Sequence, residues 1–158
     1  MLDWTVDIAR QSKRANRIII STDDDAIASR AGELDIEVVR RPTSLGGDVP
    51  LYDVYKHAAE QIGIDMIDIL IGLQVDHPDR NVTVDEALAL FEKSGADFLY
   101  STEADGTKNG SYKIYNRKML VSGHADIEAV LIDDCTNIHY AADVARAEAN
   151  LKVRNAWK

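Results

Sequence analysis

The 158-residue chain carries 18 basic and 27 acidic side chains, a net charge of −9 at neutral pH. That balance argues against a nucleic-acid or membrane-surface protein, which needs a basic face. With 46% hydrophobic and 28% charged residues it has the profile of one globular domain, residues 1–158.

Cys135 is the only cysteine. This excludes an intrachain disulfide framework, a cysteine-rich zinc site and a CxxC redox pair, and fits a reducing cytoplasm. No apolar run reaches the roughly 18–20 residues of a transmembrane helix. The N-terminus has early acids, Asp3 and Asp7, and no basic stretch, so it does not read as a signal peptide.

Taken in chain order, Leu2, Val6 and Ala9 recur at helical spacing, and Lys13, Arg14 and Arg17 suit a helix C-terminus. Arg17-Ile18-Ile19-Ile20-Ser21 is a short β-branched run, the mark of a buried parallel strand. Asp23-Asp24-Asp25 caps a helix reaching about Leu34. Glu37-Val38-Val39 predicts a second strand, and Arg41-Pro42 with Gly46-Gly47-Asp48 marks a loop. Leu51, Val54, Tyr55, Ala58, Ala59 and Ile62 form an amphipathic helix. Ile67 to Leu73 reads as a buried strand ending at Gln74, and Thr83-Val84-Asp85-Glu86 as a capping box. Ala96 to Thr102 predicts another strand and Gly106 to Gly110 a turn-rich loop. Tyr112 to Tyr115 and Ala129 to Ile132 are further strand candidates. A last helix begins near Ala141, with Val144, Ala147 and Leu151 on one face. This order predicts an α/β fold, a mostly parallel sheet sandwiched by helices, with sites at the carboxyl ends of the strands.

The densest polar cluster there is Gln74-Val75-Asp76-His77-Pro78-Asp79-Arg80. Asp76 is a hard oxygen donor suited to Mg²⁺, and Arg80 can pair bidentately with phosphate or carboxylate. The plainer reading is a polar strand-to-helix loop with a proline stop. For Asp23-Asp24-Asp25, helix capping explains the acids better than metal binding. Arg40-Arg41 is either a solvated pair or an anion site. His57 sits inside a helix and reads as structural; His77 is a ligand or a loop residue; His124 lies in a surface loop; His139 precedes the last helix. There is no GxGxxG, GxxxxGK[ST] or GxSxG.

In order, these segments resemble the acylneuraminate cytidylyltransferase (CMP-sugar synthetase) family. Arg17 to Asp23 is similar to its RIVVSTD strand and turn, and Ile36 to Pro42 with Leu45 to Asp48 to its EV..RP..L..D segment. His57-Ala58-Ala59-Glu60 resembles HALE, Leu73 to Arg80 follows LQPTSPLR in outline, and Asn109-Gly110 with Tyr112 resembles NGAIY. Asp143-Val144 with Ala147-Glu148 resembles the start of its last helix, so the likeness runs from about Leu2 to Leu151.

The resemblance implies a nucleotidyltransferase fold and attack of a sugar-acid hydroxyl on the α-phosphate of CTP, with pyrophosphate released. It assigns Ser21, Asp23 and Arg41 to the nucleotide and Gln74, Arg80 and Asn109 to the sugar acid, with Mg²⁺ as cofactor. Asp76-His77-Pro78 is similar to the GDxP of 3-deoxy-manno-octulosonate cytidylyltransferases and of a spore-coat polysaccharide group, which makes Asp76 the metal ligand. His139 is its possible second ligand.

Three departures bear on activity. The chain starts after the family's first strand and its ARxGSKGxPxKN triphosphate loop. The family's DID aligns with Asn137-Ile138-His139, and imidazole is a poorer Mg²⁺ ligand than carboxylate. The stretch from Thr102 to Asn109 is short where the family carries dimer contacts. The expectation is therefore weak or absent turnover. The alternatives are a catalytically dead or truncated homologue acting as a binding or assembly module, or a generic sugar-nucleotide-binding protein. Without the first strand, the strands at Ile18 to Ser21 and Ile69 to Leu73 either pair directly or leave an edge covered in a homodimer.

Overall fold

The computed structural model describes residues 1–155. Helix α1 (Leu2–Arg10) leads into β1 (Ile19–Thr22), α2 (Asp25–Glu33) and β2 (Glu37–Arg40). The two strands pair in parallel, from Ile19 opposite Glu37 to Thr22 opposite Arg40, because α2 carries the chain back between them. Asp24 caps α2, its carboxylate accepting the Ile27 N–H at 2.8 Å, as the acidic triplet predicts.

Helix α3 (Leu51–Ile62) ends at Gly63, whose φ of 92° suits glycine, and β3 (Ile69–Gly72) follows. Next come α4 (Val84–Ser94), β4 (Phe98–Thr102), β5 (Lys108–Asn116), α5 (Arg117–Ser122), β6 (Glu128–Ile132) and α6 (Ala141–Asn155). The capping box at α4 is present in both directions: Glu86 N–H to Thr83 Oγ1 and Thr83 N–H to the Glu86 carboxylate.

The second sheet has the order β3-β5-β4-β6. It is mixed: β5 runs antiparallel to both neighbours, and β6 is parallel to β4. The expected α/β class is present, but this sheet is not mostly parallel. Residues 103–107, between β4 and β5, are too few for a crossover and close instead as a hairpin with Gly106 at φ 88°.

One face of this sheet offers Ile71, Leu99, Ile114 and Leu131 to Ala87, Leu88 and Phe91 of α4, with Ile8 of α1 packed alongside. Full burial of each large side chain contributes roughly 1.5–3 kcal/mol. The other face carries Leu70, Phe98 and Tyr115 under Tyr52 and Tyr55 of α3 and Leu120 of α5. Asp97 braces the start of β4, accepting from Asn116 Nδ2 and Asp126 N–H at 2.8 Å each and from Ile127 N–H at 3.2 Å. The Asn116 hydrogen bond and these backbone donors hold its pKa down to about 2.

Among the described residues the two sheets share no strand pairing, so β1 and β3 do not close up on one another. Helices join them instead. On one side α3 touches β2 and packs Tyr52 and Tyr55 against Tyr115. Elsewhere α1 pairs Asp3 with Arg30 of α2 and packs Ile8 beside α4 on the second sheet. No described helix is long and apolar enough to cross a membrane.

Candidate active site

The carboxyl end of β1 gathers the three residues assigned to the nucleotide. Ser21 lies on the strand itself, its buried Oγ without a hydrogen-bond partner. Asp23 follows, and Arg41, just past β2, donates to its Oδ1 from Nε at 3.2 Å and Nη2 at 2.6 Å. This bond is the main cause that lowers the Asp23 pKa. The pair is partly exposed, and Gly46 closes over it: a Cβ there would lie 3.1 Å from Asp23 Oδ2. Arg40 turns away, to the Asp25 carboxylate and the Asp24 carbonyl.

The carboxyl end of β3 carries the second group, and here the expectations divide. Gln74 lies directly over Gly110, where a Cβ would come within 1.6 Å of its Oε1. The Asn-Gly pair is therefore a strand position that makes room for Gln74, rather than part of a turn. Asn109 is committed inside the fold: its Oδ1 accepts from Ser101 Oγ and from Ser111 N–H, and its Nδ2 donates to the Asp133 carbonyl at 2.7 Å. Arg80 is 8% exposed and donates to three carbonyls, those of Ser111 at 3.1 Å, His77 and Gln74. Its guanidinium also lies 5.6 Å from the Tyr112 ring centre. In this arrangement Arg80 and Asn109 build the loop that presents Gln74 and Asp76.

Asp76 is half-buried, and its Oδ1 meets His77 Nδ1 at 2.7 Å. Burial acts to raise its pKa, but the His77 hydrogen bond, its charge and that of Arg80 outweigh burial and keep it below the ordinary value. The carboxylate is thus ionised at neutral pH. The Asp76 carbonyl accepts the Ile138 N–H at 2.9 Å, which seats the segment carrying His139 against it. His139 is exposed, and its N–H and that of Tyr140 are held by Asp143 Oδ2 at 3.0 and 2.8 Å.

Among the described residues no three His, Cys, Asp or Glu side chains converge as a metal cluster. Mg²⁺ commonly binds one or two carboxylates and completes its shell with water and substrate phosphates. An ionised Asp76 fits that mode, and the segment carrying His139 is tied to its backbone.

Two residues escaped the sequence reading. Tyr55 of α3 is pressed onto Gly72, where a Cβ would fall 2.3 Å from its Cζ, and burial raises its phenol to about 12. Asp79 is fully buried and tied to the segment after β6. Tyr55 read as one more apolar helix position, and nothing in the sequence around Asp79 marked it as interior.

Residues 1–127 match the profile of the cytidylyltransferase family. The chain belongs to that family. Membership places it among proteins of CTP-dependent nucleotidyl transfer. The fold of this cytidylyltransferase-family chain also matches solved structures. One is molybdopterin-guanine dinucleotide biosynthesis protein A from Archaeoglobus fulgidus, at TM-score 0.60 and 13% identity over 96% of this chain and 85% of that one. Another is 4-diphosphocytidyl-2C-methyl-D-erythritol synthase from Anaerococcus prevotii, at TM-score 0.61 and 12% identity over the same shares. At such identities the likeness is one of fold, the nucleotidyltransferase α/β architecture.

Proposed function

We propose that this chain binds CTP with a divalent cation and transfers its cytidylyl group, slowly, to the hydroxyl of a sugar acid of the sialic-acid or 3-deoxy-octulosonate kind, releasing pyrophosphate. The observation that carries this reading is the Ile138–Asp76 backbone bond, which sets the His139 segment beside an ionised carboxylate at the end of β3. Bound there, Mg²⁺ would neutralise charge on the phosphoryl oxygens. Arg41, held by Asp23 in the free chain, supplies a cation for the nucleotide. Gln74, braced on Gly110, offers an amide to the hydroxyls and carboxylate of the acceptor.

Calorimetric titration with CTP, with and without Mg²⁺, tests the binding step. Arg41→Ala is expected to weaken CTP by at least about tenfold, from loss of a charge-assisted contact worth about 1.5–3 kcal/mol. Asp76→Ala is expected to abolish the Mg²⁺-dependent part. Unchanged titrations in both variants would reject the site.

The rival reading, a binding or assembly module without turnover, is favoured by His139 standing where a second carboxylate serves better. Pyrophosphate release with a panel of sugar acids separates the two. Among the described residues the inner edges of β1 and β3 have no strand partner, which also supports a homodimer. Sedimentation equilibrium at micromolar concentration tests it, a single 17.5 kDa species counting against it.

A further inference from the structure

Asp79 is a carboxylate at 0% exposure, placed between Asp76 and the buried Arg80. Its Oδ1 accepts the Thr136 N–H at 2.8 Å, and its Oδ2 accepts the Thr136 hydroxyl at 2.9 Å and the Asn150 amide at 2.7 Å. Three residues earlier on the same loop, the Asp76 carbonyl takes the Ile138 N–H. The loop after β3 and the segment after β6 are thus fastened antiparallel at two points, 79 to 136 and 76 to 138. His139 follows directly on the second. Asn150 adds α6 to the same carboxylate.

A buried carboxylate is costly unless its oxygens are well bonded, and an apolar side chain would fill the same space at less cost. What the carboxylate supplies in return is direction. It fixes both donors of Thr136 and a helix amide at one point.

We propose that Asp79 is a positioning residue for metal binding: it locks the segment after β6 so that His139 is presented to the ion held by Asp76. The proposal rests on the reading of Asp76 and His139 as the metal pair. Asp79 acts through its bonds to Thr136 and Asn150. Groups that support a bound metal from behind its ligands typically change affinity by about 10–100-fold when removed.

The test uses two readouts on the full chain. Hydrogen exchange of the 134–140 segment reports the fastening whether or not metal binds. Titration with Mn²⁺ in the presence of CTP, followed by electron paramagnetic resonance, reports the consequence. In Asp79→Leu, exchange at Thr136 and Ile138 is expected to quicken by about tenfold or more, and Mn²⁺ affinity to fall about 10–100-fold. Asp79→Asn, which can still accept from the Thr136 N–H, is expected to recover most of both. Thr136→Val, which removes only the hydroxyl donor, gives an intermediate loss and keeps the test open if Asp79→Leu does not fold. Unchanged exchange would overturn the fastening. Faster exchange with unchanged Mn²⁺ affinity would overturn the link to the metal. A wild-type chain that binds no Mn²⁺ would reject the metal pair itself, and exchange would still decide what Asp79 holds.

Discussion

The two halves of the candidate site are held in opposite ways. At the end of β1 and β2, Asp23, Arg41, Arg40 and Asp25 are joined by ion pairs that water reaches. At the end of β3, Arg80, Asp79 and Asn109 are tied down by donors and carbonyls inside the protein. Exposed pairs contribute little to stability and weaken with salt, but they leave their cations able to change partner. Buried polar groups with complete hydrogen bonds fix geometry and are costly to disturb. The first half is therefore suited to exchange Asp23 for an anionic ligand, and the second to keep its shape while a ligand comes and goes.

Removing the arginine from each half breaks this comparison most severely. Arg80→Ala strips three carbonyls of their donor inside the fold and is expected to destabilise the protein by on the order of 3–5 kcal/mol. Arg80→Lys is not expected to restore it, because a compact ammonium cannot reach three carbonyls with a planar fork. Arg41→Ala is expected to cost within about 1 kcal/mol. Urea denaturation of the three variants checks this, and equal losses for Arg80→Ala and Arg41→Ala would remove the distinction.

Two glycines sharpen it at smaller scale. Gly72→Ala drives a methyl into the pinned ring of Tyr55 and is expected to cost about 1–3 kcal/mol. Gly110→Ala meets only the end of the Gln74 side chain, which can swing aside. Its thermal midpoint is expected to stay near that of the wild type while binding of the proposed sugar-acid acceptor falls. A Gly110→Ala variant as unstable as Gly72→Ala would show that Gln74 is as fixed as the ring.

The smallest effect is a pH dependence. Asp97 has a folded pKa of about 2 against an ordinary 3.8. Its contribution to stability is complete above the ordinary value and is lost as pH falls from there through 2. Stability measured from pH 5 to pH 2 is expected to fall more steeply for the wild type than for Asp97→Asn. Parallel curves would mean that Asp97 holds no such advantage.

Much of this molecule is written locally. The capping box at Thr83 and the Asp24 cap are set by a few adjacent side chains, so short-range chemistry reveals them. The β-branched runs that became β1, β2 and β3 were equally visible. The direction of β5 was not read, although the brief link from Thr102 to Lys108 excludes a crossover. The strand also passes through Asn109-Gly110, a pair that alone suggests a turn; only the Gln74 side chain packed on Gly110 accounts for the glycine. Arg80 shows the deeper difficulty. An arginine after a strand has the same local signature whether it meets a phosphate or is folded inward, and its direction is settled by carbonyls as distant as Ser111. The Asp79 to Thr136 tie spans still more of the chain, so no local pattern records it.

The division of the strands into two ladders bears on how the molecule comes apart. Backbone bonds between strands are what make a sheet open as a unit, and none crosses from β1 to β3 among the described residues. The β1-α2-β2 piece is therefore a separate cooperative unit, fastened by α1 and α3. Two of its fastenings are charged and exposed, Asp3 with Arg30 and Arg17 with the Ile62 carbonyl at the end of α3. Salt weakens bonds of that kind and leaves the Phe91–Leu99–Ile114 core untouched. The β1-α2-β2 half can thus loosen while the rest stays folded, and any ligand gripping Arg41 together with Asp76 would act as the cross-link that the backbone does not supply.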